Sequence, residues 1–152
     1  MPVAMSLHVL AAVIWVGGMF FAYVALRPVA GTLLEPPLRL QLWQGAFMRF
    51  FPWVWVAIIA LPATGYWIIF DIYGGLDAVG LHIHAMQTLG IIMILIFLYV
   101  YFAPYKRLCM ANTAKDYALA GKQLAQIRKL IAINLTLGLI TIATASGGQF
   151  IV

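Results

Sequence analysis

The chain has 152 residues, of which 65% are hydrophobic and only 9% charged, with a net charge of +5. A water-soluble domain of this size cannot hide so much apolar surface, so soluble fold classes are excluded. The basic excess lies in the segments between apolar blocks, where it sets membrane orientation rather than binding nucleic acid.

Four apolar blocks follow one another, Val3 to Leu26, Phe51 to Phe70, Val79 to Phe102 and Leu130 to Val152, and none contains Lys, Arg, Asp or Glu. Each has about the 20 residues that a helix needs to cross the roughly 30 Å hydrocarbon core. The expected fold is an all-α integral membrane bundle of four transmembrane helices, about 3–26, 51–70, 79–102 and 130–151, forming a single domain over 1–152. The first block lacks a basic leader and a small-residue cleavage site, so it reads as a retained helix and not as a secretory signal.

After Arg27 and Pro28, the segment 37–50 mixes Leu38, Leu40, Leu42, Trp43, Phe47 and Met48 with Arg39, Gln41, Gln44 and Arg49. It reads as an amphipathic segment on the cytoplasmic surface, with a plain connecting loop as the alternative. Phe50, Phe51, Trp53 and Trp55 then mark one aromatic belt, and Tyr66, Trp67, Phe70 and Tyr73 the other. Pro62, Thr64 and Gly65 interrupt the second span, where proline frees a backbone carbonyl, so a kink is expected there. The loop between spans two and three carries Asp71 and Asp77 and no basic residue. The loop between spans three and four carries Lys106, Arg107, Lys115, Lys122, Arg128 and Lys129. By the positive-inside rule both basic loops are cytoplasmic, and both termini lie on the periplasmic side of a bacterial inner membrane. Thr113 and Asp116 have the spacing of a capping box, so the fourth helix is expected to begin well before the membrane and to run into it unbroken. The lone Cys109 permits no internal disulfide.

Candidate chemistry rests on three histidines, His8, His82 and His84. Each falls about 5 to 8 Å inside the outer end of its span at 1.5 Å per residue, so they share one layer. Histidine inside a span is rare and generally serves function, and neutral imidazole ligates metals and haem iron. Below His8, a stripe of Ala11, Ala12, Trp15, Gly18 and Met19 permits close approach, either of a macrocycle or, more commonly for small residues, of another helix. His82 and His84 point about 200° apart, so only one faces a given site. Inward-facing polarity favours His84, which shares a face with Gln87 and Thr88; a soft metal favours His82, which shares one with Met86 and Met93. Met5 with His8, and Met86 with His82, offer the imidazole and thioether pair that suits Cu(I), although methionine is also a common core filler. On the fourth span, Asn134, Gly138, Thr141, Ala145 and Gly148 form the bundle-facing stripe, with Thr141 and Gln149 near the histidine layer. The sequence shows no paired intramembrane carboxylates, nucleophile constellation, phosphate loop or CxxC motif, so hydrolysis and phosphoryl transfer have no support.

The runs LHVLAAVIWVGGMFFAYVALRP, RFFPWVWVAI and IRKLIAINLTLGLITIA resemble the copper-resistance D (CopD) family of bacterial inner-membrane proteins. A more distant similarity is to HemJ, a four-helix haem-binding protoporphyrinogen oxidase, carried by His8 with Trp15 and Gly18 and by Arg128 with Asn134. The basic residue and acidic neighbour that HemJ-like sequences place around spans three and four are missing or changed here. These resemblances imply haem b held by His8 and by His82 or His84, beside Trp15 and Gly18, in an electron-transfer role with quinone or a redox protein as partner. As an enzyme the chain would be a haem-dependent membrane oxidoreductase. The alternative is copper binding or uptake through His8, His82, His84, Met5 and Met86, and the second alternative is a non-catalytic membrane scaffold or assembly factor. Beyond the lipid bilayer, a further copy of the chain is the expected neighbour for so small a unit.

Overall fold

A computed structural model describes residues 1–150, and these are helical almost throughout. Four helices are long and apolar enough to cross a membrane: α1, Pro2–Leu33; α2, Pro36–Tyr73; α3, Leu81–Thr113; and α4, Tyr117–Phe150. No strand occurs among the described residues. Expected residues 151 and 152 of the fourth span lie outside the described ones.

Each helix is longer than the apolar block that announced it, because helix-forming polar residues continue the same backbone hydrogen-bond ladder beyond the apolar stretch. The segment 37–50 differs most from expectation. Instead of a separate amphipathic piece it is the first part of α2, continuous with the second span. Its Leu40, Trp43 and Phe47 are buried against the bundle. The apolar face expected to lie on lipid is used for helix packing.

Proline shapes these helices without breaking them. The helical ladder runs through Pro52 and Pro62, and the backbone turns π-helical only later, at Ile69–Tyr73. Two other π-helical stretches adjoin prolines: Phe21–Leu26 precedes Pro28, and Tyr101–Tyr105 contains Pro104. A wider turn accommodates a residue that has no N–H and whose ring crowds the preceding carbonyl.

The capping box expected at Thr113 and Asp116 resolves into two different roles. Thr113 closes α3 and donates its hydroxyl proton to the Cys109 carbonyl at 2.9 Å. Asp116 alone caps α4, accepting from the Leu119 amide at 3.2 Å. Between them Lys115 takes a left-handed conformation, φ 56°, which reverses the chain.

Antiparallel neighbours α1 and α2 make one close pair, α3 and α4 another, and α4 also touches α1 and α2. The pairs join through aromatic rings. Phe47 and Phe51 stack with centroids 4.9 Å apart, Phe51 meets Phe97 edge-on at 5.4 Å, and Trp15 meets Phe97 at 6.5 Å. These edge and stacked geometries follow the ring quadrupole. Phe51 is therefore core rather than belt, and Trp55 is half-buried against Phe97 and Tyr101. Trp53 alone of the first aromatic group is well exposed, whereas Tyr66, Trp67, Phe70 and Tyr73 all are. Elsewhere the exterior is apolar, with Val13, Ile59, Leu95 and Leu139 facing outward. An outside this apolar suits hydrocarbon and not water. Four apolar helices of this kind make a multi-pass membrane protein.

Candidate functional site

The topology brings the start of α1, the end of α2, the start of α3 and the end of α4 to one end of the bundle. All three histidines lie there, opposite the basic loops.

His8 sits in the second turn of α1, and its Nδ1 lies 2.8 Å from Thr64 Oγ1 on α2. The Thr64 hydroxyl has a single proton, which goes to the Ala60 carbonyl one helical turn back, at 2.6 Å. With the hydroxyl proton on that carbonyl, Oγ1 accepts from the ring and the matching tautomer carries its proton on Nδ1. The neutral imidazole then keeps its free lone pair on Nε2, the electron pair that a metal needs. Thr64 is buried, and the next residue, Gly65, lets the ring approach: a Cβ there would stand 3.2 Å from His8 Cε1. The sequence singled out Thr64 and Gly65 only as helix interrupters.

His82 occupies the first turn of α3 and packs on α4. A Cβ at Gly148 would lie 2.6 Å from the Cβ of His82, and one at Gly80 would lie 2.9 Å from its Nδ1. Its face of α3 continues through half-buried Met86 to Met93, which is buried. His84 is exposed, as are Thr88, Ile91 and Leu95 on its side. The inward histidine of α3 is thus His82, and the methionine-bearing face is the one that packs. Polarity misleads here because Thr88 returns its proton to the His84 carbonyl at 3.0 Å, satisfying itself without a bundle partner.

The remaining candidates divide. Gly18 is filled by the ring of Phe50, against which a Cβ would collide, so the small stripe of α1 is helix packing. Trp15 is buried among core rings. Met5 is exposed. Asn134 is buried and donates to the Met93 carbonyl at 3.2 Å, while its own Oδ1 has no partner. Thr141 Oγ1 lies 4.0 Å from Met93 Sδ, not beside a histidine, and Gln149 turns back to the Ser146 carbonyl. At Gly138 a Cβ would stand 2.9 Å from Val16 Cγ2 and 3.1 Å from Met93 Cε, so three helices converge on that glycine.

The model for copper resistance protein D matches residues 44–147. The chain belongs to that family. The matched region of this CopD protein holds Thr64, Gly65, His82, His84 and Asn134, while α1 with His8 precedes it. No curated protein and no solved structure matches it.

Haem b requires imidazoles that face a space as wide as the macrocycle. The geometry gives haem b no support: His8 rests on Thr64 and Gly65 of α2, and His82 on Gly80 and Gly148. Among the described residues no three His, Cys, Asp or Glu side chains converge as a metal cage. What the site offers is individual imidazole nitrogens, one of them hydrogen-bonded across to Thr64.

Proposed function

We propose that this CopD-family protein binds copper at the histidine end of its bundle, with His8 Nε2 as the principal ligand. The observation that carries the reading is the chain from His8 Nδ1 to Thr64 Oγ1 to the Ala60 carbonyl. Ligating histidines are typically oriented in this way by a partner on the other ring nitrogen. Met5, three residues before His8 on the same helix, supplies a thioether at the open end, and the pair suits Cu(I). The positive-inside rule supports a cytoplasmic basic end, and on that orientation the histidine end receives copper from the outer, periplasmic side.

Deeper methionines are packed rather than lining a passage: Met19 and Met93 are both buried, and Met93 lies against Gly138. This favours capture and handover at the outer end over free conduction. Copper here is cargo, and no oxidation or reduction is required of the chain.

The test is a competition titration of purified protein with Cu(I) and a chromogenic chelator, alongside an absorption spectrum. The expected result is stoichiometric copper with no Soret band, and loss of that copper in His8→Ala. A Soret band without copper binding would replace this reading with a haem protein, and neither would leave a membrane scaffold.

A further inference from the structure

At the end opposite the histidines lies a cavity of about 250 Å³ between α1, α2 and α4. Three arginines, each from a different helix, line it: Arg27 of α1, Arg39 of α2 and Arg128 of α4. None of the four acidic residues of the chain, Glu35, Asp71, Asp77 and Asp116, is in its wall. Like charges brought to one concave surface repel, and the repulsion is relieved by an anion.

Arg27 is held in place before any ligand arrives. Its Nε donates to the Tyr23 carbonyl at 3.1 Å, and its guanidinium carbon lies 4.3 Å from the centre of the Tyr23 ring. The terminal N–H groups stay available for a two-pronged contact with phosphate oxygens. Gly31 leaves room for Arg39, whose Nη1 is the one atom near a Cβ built there, at 3.9 Å.

Chain direction orders the remaining wall. Along each helix, Phe47 and Ile131 lie further toward the membrane interior than the arginines, whereas Gly31, Pro36 and Tyr117 lie further out. The cavity thus has an anionic requirement at mid-depth and an apolar one beneath. Free phosphate meets only the first. Its volume is below the roughly 300–1,000 Å³ typical of sites for drug-sized ligands, so it suits a headgroup and not a whole molecule.

We infer that this cavity binds the phosphodiester headgroup of an anionic phospholipid, with its acyl chains leaving along the apolar wall. Basic pockets between membrane helices are suited to such headgroups. The inference stands apart from the copper reading and uses none of its residues.

Native mass spectrometry of the full chain in detergent, with dioleoyl phosphatidylglycerol, dioleoyl phosphatidylcholine or inorganic phosphate added, tests it. The expected result is retention of phosphatidylglycerol over phosphatidylcholine, weakened about fivefold by each of R27Q, R39Q and R128Q and about a hundredfold by all three. R49Q/R107Q, which removes arginines outside the cavity, should retain the preference. Gly121 lines the cavity and has nothing within 4 Å of a built Cβ. G121L therefore fills the space with every arginine intact, and should expel the lipid even where the triple variant fails to fold. Equal retention of the two lipids, an equal loss in R49Q/R107Q, unchanged binding in G121L, or displacement of phosphatidylglycerol by micromolar inorganic phosphate would each overturn the inference.

Discussion

Thr64→Val replaces a hydroxyl by a methyl of nearly equal size, so it alters the hydrogen bonds of His8 while leaving the α1–α2 contact filled. Two bonds disappear, from His8 Nδ1 to Oγ1 at 2.8 Å and from Oγ1 to the Ala60 carbonyl at 2.6 Å. The second is a local back-bond, whose loss costs a helix little. Losing the first leaves the part-buried ring N–H with only the Leu61 carbonyl beside it, so the cost falls at the low end of the roughly 1–3 kcal/mol of an unpaired donor. It also frees the ring to exchange tautomers and rotate, which for a ligand histidine weakens metal binding by about 10–100-fold. That range equals about 1.4–2.7 kcal/mol. Competition with a Cu(I) chelator measures affinity, and thermal unfolding in detergent measures stability. Thr64→Ser, which keeps the acceptor, should restore affinity. Thr64→Val with copper affinity equal to wild type would refute the argument, since the imidazole would then need no orientation from α2.

Four further outcomes are expected. His84→Ala should leave copper affinity unchanged, because that ring faces outward; a loss as large as in His8→Ala would move the site to the outer face of α3. Gly148→Val should lower the melting temperature by an amount equivalent to about 1–3 kcal/mol of overpacking, since the atom it strikes, His82 Cβ, cannot rotate away. Asn134→Leu should cost under about 1 kcal/mol, as interhelical hydrogen bonds in membranes generally do, and less still because it removes an unpartnered Oδ1. Asp77→Cys, made in a Cys109→Ser background, should react with a membrane-impermeant thiol reagent in intact cells; protection there with labelling only after lysis would invert the topology.

Helix number was legible because each span is an uninterrupted apolar run, and backbone groups in hydrocarbon have no alternative to the helix. Helix length was not. Arg27, Arg49 and Lys106 bound the apolar blocks but do not end the hydrogen-bond ladder, so the composition boundary and the helix boundary separate. The basic-end aromatic belt was half misread for a related reason: Phe51 and Trp55 have the composition of an interface, but only packing decides that they stack on Phe47 and Phe97. At the site, His8 was legible as an isolated polar group in an apolar span. Its partners were not, since Thr64, Gly65 and Gly148 matter through closeness between helices far apart in sequence. The face of His82 was decided by Gly148, whereas Thr88 beside His84 pointed the other way although its hydroxyl is satisfied within its own helix.

The copper reading rests on Thr64 holding His8 as the Nδ1-protonated tautomer, which offers Nε2 to the metal. Nitrogen-15 NMR of histidine-labelled protein, assigned with His8→Ala and recorded before and after Cu(I) addition, addresses it directly. A protonated Nδ1 is expected in both states, with a large shift of Nε2 on loading. An unprotonated Nδ1 in the free protein, or a His8 Nε2 resonance indifferent to copper, would contradict it.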